Sequence, residues 1–88
     1  DGKALRRTLD RLAEGVARAL RRKKLLGRTV KLKLRLSDFT TLSRQSALPE
    51  ATDDPRIISQ AAQALFNNLW QPGQPVRLVG VGVSKLQK

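Results

Sequence analysis

The sequence predicts an α+β fold in which two helices pack on one face of a small antiparallel sheet, in the order αββαβ. Apolar residues recur every three or four positions in two segments, which is the period of a helix. They alternate with other residues after position 29 and again after position 76, which is the period of a strand. A length of 88 residues indicates a single domain spanning residues 1–88.

The first helix is expected over about residues 3 to 23. Its apolar stripe consists of Leu5, Leu9, Leu12, Val16 and Leu20. Its other faces carry Arg6, Arg7, Arg11, Arg18, Arg21 and Arg22. Lys23 and Lys24 close the helix, where cations interact favourably with the negative end of the helix dipole.

A strand is expected from Thr29, after a connection that ends at Gly27. One face of this strand is apolar and the other is cationic. The apolar positions are Val30, Leu32, Leu34 and Leu36, and they alternate with Lys31, Lys33 and Arg35.

Residues 37 to 40 suit a hairpin connection, and residues 41 to 48 are expected to form a second strand. Leu42 and Leu48 share a strand face with Arg44. Either Arg44 points toward the core, which is costly, or a bulge changes the register between the two leucines. We favour the bulge or a short edge segment.

Residues 49 to 53 are expected to form a loop, followed by an N-cap at Asp54 and a proline at the first helical position, Pro55. The second helix then runs to about Trp70. Its buried stripe is Ile58, Ala61, Ala62, Leu65 and Leu69, with Phe66 alongside. A last strand over residues 76 to 86 has Val79, Val81 and Val83 on one face and Leu78, Gly80, Gly82 and Ser84 on the other.

The charge is strongly positive and unevenly distributed. Eighteen Lys and Arg oppose seven Asp and Glu, for a net charge of +11. The first 35 residues hold 13 of the cations and three of the anions, so they carry +10. A basic surface kept for solubility is the alternative, but a small domain needs a net charge of only about 2 to 8 for that purpose. The asymmetry therefore indicates a face that meets a polyanion, most commonly nucleic acid.

Several functional classes are disfavoured. The chain has no Cys and no His, so it lacks a thiolate nucleophile, the usual neutral-pH base and the usual zinc ligands. Asp53 and Asp54 suit a helix cap better than a magnesium site, because magnesium catalysis needs carboxylates from different elements. We expect no cofactor and no membrane binding: the first helix needs its apolar face for the core, and no signal peptide or membrane span is present. A cytoplasmic location is expected.

The most informative feature is the row of Lys31, Lys33 and Arg35. Residues two apart on a strand lie about 6.6 to 6.8 Å from each other, close to the spacing of successive phosphates along a nucleic-acid strand. An ordinary solvated face is the alternative. Gly80 and Gly82 would let a phosphate backbone approach the strand, although a bulge or packing by other side chains is equally compatible with them.

Trp70 and Phe66 offer aromatic rings for base stacking. Both lie at the end of an apolar helix stripe, so we expect them in the core instead. With only three aromatic residues, the chain also lacks the exposed rings that sheet-based readers of single-stranded RNA use.

Three segments resemble the little-finger domain of Y-family, or translesion, DNA polymerases. The matching residues are Asp38-Phe39, Ser43-Arg44, Val76-Arg77-Leu78, Gly80-Val81 and Ser84 to Leu86. The resemblance covers about residues 25 to 88, and the closing strand is its most specific part. It implies a βαββαβ domain that lies along the major groove of a primer-template duplex and grips both phosphate backbones.

The resemblance also implies which residues bind DNA. Ser43, Arg44 and Arg77 fall on phosphate-contacting positions, with Lys31 and Lys33 on the strand beside them. The whole expected set is Lys31, Lys33, Arg35, Ser43, Arg44, Arg77, Gly80, Gly82 and Lys85. Some members have arginines where this chain has Leu78 and Gly82, so main-chain amides would serve as phosphate donors there. No catalytic residue is implied, because the magnesium-binding carboxylates of the family belong to a separate palm domain.

The family's first strand has no counterpart ahead of Ala4, and a start at Asp1 without Met suggests a piece of a longer protein. In the usual strand order of a βαββαβ sheet, this first strand is central and lies between the third strand and the last strand. We therefore expect either an incomplete sheet that pairs with a second copy or a rearranged topology. The expected partners are duplex primer-template DNA and the catalytic core of the parent polymerase, and an unpaired sheet edge offers a site for a second copy. The alternative functions are a protein-interaction module that uses an open sheet edge and an RNA-binding domain.

Overall fold

The computed structural model describes residues 2–88 and contains five elements in the predicted order. They are α1 (Gly2–Lys23), β1 (Leu26–Leu36), β2 (Thr41–Thr52), α2 (Pro55–Leu69) and β3 (Val76–Gln87). The three strands form one antiparallel sheet. The predicted α+β class is confirmed. Asp1 lies outside the described residues.

The core lies between the helices and one face of the sheet. Its buried residues on the helices are Leu9, Ala13, Ala17, Leu20, Ile58, Ala62 and Phe66. Val30, Leu32 and Leu34 of β1 are completely buried against them. The buried line of α1 runs through Ala13 and Ala17, while the predicted stripe residues Leu12 and Val16 are only half-buried. Small side chains in this line let the helix backbone lie close to its neighbours.

β1 is the central strand, and the sheet order is β2-β1-β3. It pairs with both neighbours without interruption of the sheet, so no vacant central position exists between them. Of the two expected alternatives, this strand order agrees with a rearranged topology and not with a sheet whose centre is vacant. The order differs from the usual family order assumed above, and β2 and β3 form the two edges.

The pairing of β1 with β2 also corrects the expected bulge. The register runs regularly from Thr29 opposite Ala47 to Arg35 opposite Thr41, so no bulge separates Leu42 from Ala47. Arg44 consequently lies opposite Leu32 and shares the helix side of the sheet with it. The side chain of Arg44 stays exposed because β2 is an edge strand, and its Nη1 donates a hydrogen bond to the carbonyl of Ser43 at 2.9 Å.

The register shift lies at the other end of the hairpin, between Gly27 and Thr29. Gly27 pairs with Thr52, so β2 includes most of the segment expected to be a loop. Gly27 itself is buried within β1 and does not end the connection from α1. That turn is made by Lys24, in a left-handed conformation with φ 56°, and by Leu25, whose N–H donates to the carbonyl of Leu20 at 2.9 Å.

α2 begins as predicted. The carboxylate of Asp54 accepts a hydrogen bond from the backbone N–H of Arg56 at 2.9 Å, and Pro55 occupies the first turn. At the other end, the Trp70 ring stacks on Phe66 with 5.0 Å between ring centroids, and its Nε1 donates to the carbonyl of Gln74 at 2.8 Å. Phe66 is buried and Trp70 half-buried on the helix side. The core interpretation of both rings is confirmed.

Candidate nucleic-acid interface

The sheet face that is not covered by helices, here called the open face, presents three rows of residues that lie side by side across the strands. In each row a cation of β1 lies between a polar residue of β2 and a residue of β3. The rows are Thr41–Arg35–Leu78, Ser43–Lys33–Gly80 and Gln45–Lys31–Gly82. The predicted alternation therefore brings together six of the nine residues expected to bind DNA.

Lys31, Lys33 and Arg35 are exposed along the middle of the open face. None of the nine positions in the three rows is acidic. Among the described residues the ion pairs are Arg21 with Asp53 and Arg56 with Asp54, neither of which lies on this face. Successive cations on one side of a strand are about 6.6 to 6.8 Å apart, so the central strand carries an unneutralised positive line.

The two glycines leave the β3 side of this line open. A Cβ atom added to Gly82 would meet nothing within 4 Å, and one added to Gly80 would lie 4.0 Å from the Cβ of Lys33. The pairing of β1 with β3 is regular from Leu78 to Gln87, so the bulge considered for these glycines is absent. A shallow groove of about 550 Å³ on this face is lined by both glycines, Lys31 and Lys33.

Ser43 and Gln45 supply hydrogen-bonding groups on the β2 side of the groove. Ser43 was among the expected residues, whereas Gln45 was missed. The sequence does carry a signal for Gln45, since Thr41, Ser43 and Gln45 alternate along one strand. Recognising it requires the register, which puts Gln45 opposite Lys31.

Arg77 lies at the end of the open face rather than in its rows. It is the extra residue between the pairs Leu36–Val76 and Arg35–Leu78, where the register of β1 and β3 shifts. Its guanidinium carbon lies 4.6 Å from the ring centroid of Phe39 in the hairpin turn. Backbone and side-chain hydrogen bonds from Thr40 lower the pKa of Asp38 in the same turn. The anionic Asp38 side chain thereby stabilises the turn, accepting from the Thr40 N–H at 2.9 Å.

The remaining two expected residues do not join the rows. Arg44 has the register of the helix side, as described above. Lys85 is exposed near the end of β3, at a left-handed backbone position with φ 55°. Within residues 2–88, no group of three or more His, Cys, Asp or Glu side chains comes close enough to hold a metal ion. Neither described helix is long and apolar enough to span a bilayer.

The sequence is similar to a known family of domains and to known proteins. A sequence model of the impB/mucB/samB family C-terminal domain matches residues 1–88. DNA polymerase IV of Streptomyces coelicolor is 47% identical over 78 residues, which cover 89% of this chain and 16% of the relative. DNA polymerase IV of Methanoculleus marisnigri is 42% identical over 87 residues, covering 99% of this chain and 24% of the relative. The chain thus spans less than a quarter of the length of these relatives.

Proposed function

Because the chain belongs to the impB/mucB/samB family of C-terminal domains, the little-finger domains of Y-family DNA polymerases, we propose that it is the DNA-binding domain of a lesion-bypass polymerase. The domain holds the primer-template duplex by its phosphates and does not read its sequence. The observation that carries the proposal is the open face, where Lys31 and Lys33 lie beside two glycines and no acid.

In this proposal the residues of the open face make different kinds of contact with the DNA. Lys31, Lys33 and Arg35 attract one phosphate strand along β1, and Ser43 and Gln45 donate hydrogen bonds at its β2 side. Over Gly80 and Gly82 the backbone of the DNA approaches the strand closely. Arg77 extends the face past the hairpin end, while Arg44 and Lys85 supply charge at its periphery.

The domain carries no catalytic residue in this proposal. The acids of the described residues do not form a cluster that fits the magnesium ions of a polymerase, so no metal-dependent step is assigned to this chain. Nucleotide transfer would belong to another domain of the parent protein, which is then a partner of this one. The parent polymerase acts in DNA repair and in DNA replication across lesions. We expect it in the cytoplasm.

The test is a salt series of anisotropy titrations with a fluorescent primer-template duplex. Affinity should fall with salt, with a log-log slope of about −0.9 for each phosphate neutralised. The double variant Lys31→Gln, Lys33→Gln should reduce that slope by about 1.8 and weaken binding to all sequences alike. The charge-matched control Lys23→Gln, Lys24→Gln changes two exposed lysines at the end of α1 and should keep the slope.

Two results would contradict the proposal. One is an equal loss of affinity in the double variant and in its control, which would show that binding depends on net charge alone. The other is tighter binding to an A-form RNA duplex of the same sequence, which would favour an RNA-binding domain.

A further inference from the structure

A second cationic surface lies on the outer side of α1, away from the sheet. It is formed by Arg7, Arg11, Arg18 and Arg22, here called the arginine row. At 3.6 residues per turn these four positions fall within about 60° of the helix circumference, and at 1.5 Å per residue the row is about 22 Å long. All four side chains are exposed. The buried positions Leu9, Ala13, Ala17 and Leu20 lie on the opposite side of the helix.

The arginine row is not used by the fold. None of its four side chains takes part in a hydrogen bond, ion pair or ring contact among the described residues, in contrast to Arg6, which lies over the Phe66 ring and donates to Gln63. Glu14 is the only acid on this side of the helix within residues 2–88. Arg7 with Arg11 and Arg18 with Arg22 are like-charge pairs four residues apart, which destabilise a helix. Glu14, three residues after Arg11 and four before Arg18, offsets part of this repulsion, so the row keeps a net charge of +3 that an anionic partner would neutralise.

One straight duplex cannot contact both the open face and the arginine row. The sheet and the packed side of α1 lie between the two surfaces, so a straight duplex lying on the open face does not reach the row. The row also lacks apolar or aromatic residues that would insert into a lipid surface. Arginine forms paired hydrogen bonds with phosphate. Within each of the pairs Arg7–Arg11 and Arg18–Arg22 the residues are about 6 Å apart along the helix axis, close to the spacing of successive phosphates, and about 10 Å separates the two pairs.

From this we infer that the arginine row is a second binding site for duplex DNA, so that one chain bridges two duplex segments on its opposite faces. The inference rests on the proposed function for the class of ligand and adds a site to it. The row's length corresponds to about six base pairs of duplex, at about 3.4 Å per base pair.

The experiment uses two 12-base-pair DNA duplexes, each about 41 Å long, close to the 39 Å long axis of the domain. One is immobilised on beads, the chain is added, and retention of the second, fluorescent duplex is measured. The row variant carries Arg7→Gln, Arg11→Gln and Arg18→Gln, since Gln keeps the helix propensity. Its charge-matched control carries Lys23→Gln, Lys24→Gln and Lys88→Gln.

We expect the row variant to retain at least tenfold less of the second duplex, while its affinity for the first duplex stays within twofold of the wild type. The control should bind both duplexes like the wild type. Retention of the second duplex by the row variant would overturn the inference and point to bridging by chain dimers. Release of the second duplex by poly-glutamate as readily as by free duplex would assign the row to acidic proteins and also overturn it.

The two proposals fail separately. If the wild-type chain binds the first duplex but never the second, the arginine row is no DNA site and the proposed function stands. If it binds no duplex, both are wrong.

Discussion

Arg77 and Phe39 form a cation–π pair across the end of the sheet, with 4.6 Å between the guanidinium carbon and the ring centroid. Neither residue belongs to the core, and Phe39 is 61% exposed. Phe39 also has a φ of 70°, a left-handed conformation that is unfavourable for an aromatic residue. The turn therefore exposes the Phe39 ring at a position whose backbone is strained. The ring contacts the guanidinium of Arg77 and holds this side chain beside the open face.

We predict that Phe39→Leu weakens duplex binding about two- to fivefold, the factor that corresponds to an exposed cation–π contact of about 0.5 to 1 kcal/mol. The leucine keeps an apolar side chain but removes the ring, so Arg77 loses its fixed position. Phe39→Tyr preserves the ring and should bind like the wild type. Anisotropy titrations measure the effect.

A double-mutant cycle separates positioning from direct contact. If Phe39 acts through Arg77, adding Phe39→Leu to Arg77→Gln weakens binding no further. Fully additive losses would show that Phe39 contacts DNA on its own, or acts through the fold.

Gly82 provides the second prediction, since nothing lies within 4 Å of the position a Cβ would take. Gly82→Val should leave the free energy of unfolding unchanged or raise it by up to about 1 kcal/mol, because valine favours strands. It should weaken duplex binding roughly tenfold, by keeping phosphates from the main-chain amides, whose bonds to charged groups are worth about 1.5 kcal/mol or more.

The matched control is Gly15→Ala on α1, where an added Cβ also meets nothing within 4 Å. Alanine should stabilise the helix by about 1 kcal/mol and leave the affinity for a single duplex intact. Undiminished binding by Gly82→Val would mean that DNA does not approach this part of β3.

The contrast between Lys33 and Arg44 shows what the sequence can predict and what it cannot. The side of the sheet on which Lys33 lies follows from the alternation within β1 itself, a local pattern. The side of Arg44 depends on its pairing with Leu32, a contact between separate strands, and the assumed bulge proved unnecessary because an edge strand lets an arginine on the helix side reach solvent.

The same distinction explains the other differences. The helix cap at Asp54 is local and was predicted, whereas the central position of β1 depends on which segments pair. The Arg77–Phe39 contact depends on a register shift between β1 and β3 that no spacing in either strand indicates. Assembling the open face thus required the tertiary structure, although most of its residues were identifiable beforehand.

Gly27 yields a prediction about stability. A Cβ at this buried position would lie 2.9 Å from the Cβ of Val83, closer than side chains tolerate. Gly27→Ala should therefore destabilise the fold by about 1 to 3 kcal/mol, the usual cost of overpacking. Urea unfolding measures the loss.

Val83→Ala does not move the Val83 Cβ and so should not rescue Gly27→Ala fully, but it removes the methyl groups that lie 3.1 and 3.4 Å from the added atom. The two changes together should cost less than the sum of their separate effects. A neutral Gly27→Ala would mean that the strands separate easily at this end of the sheet.

Asp54 gives the fold a defined dependence on pH. The side chain and backbone N–H of Arg56 donate hydrogen bonds to its carboxylate and lower its pKa from the ordinary value of 3.8. The unfolded chain therefore binds more protons than the folded chain in this range, and the stabilisation by Asp54 is present above about pH 3.8 and lost as the pH falls through the folded pKa.

Asp54→Asn isolates this effect, because asparagine is also a good N-cap but carries no charge for Arg56. The variant should be less stable than the wild type at neutral pH, and the difference should shrink as the pH falls below 3.8. Asp38, whose pKa is also lowered, is common to both chains and cancels in the comparison. Urea midpoints of both chains from neutral to acidic pH measure the difference. A gap that stays constant or widens in acid would show that the charge of Asp54 contributes nothing and that the cap works through its shape alone.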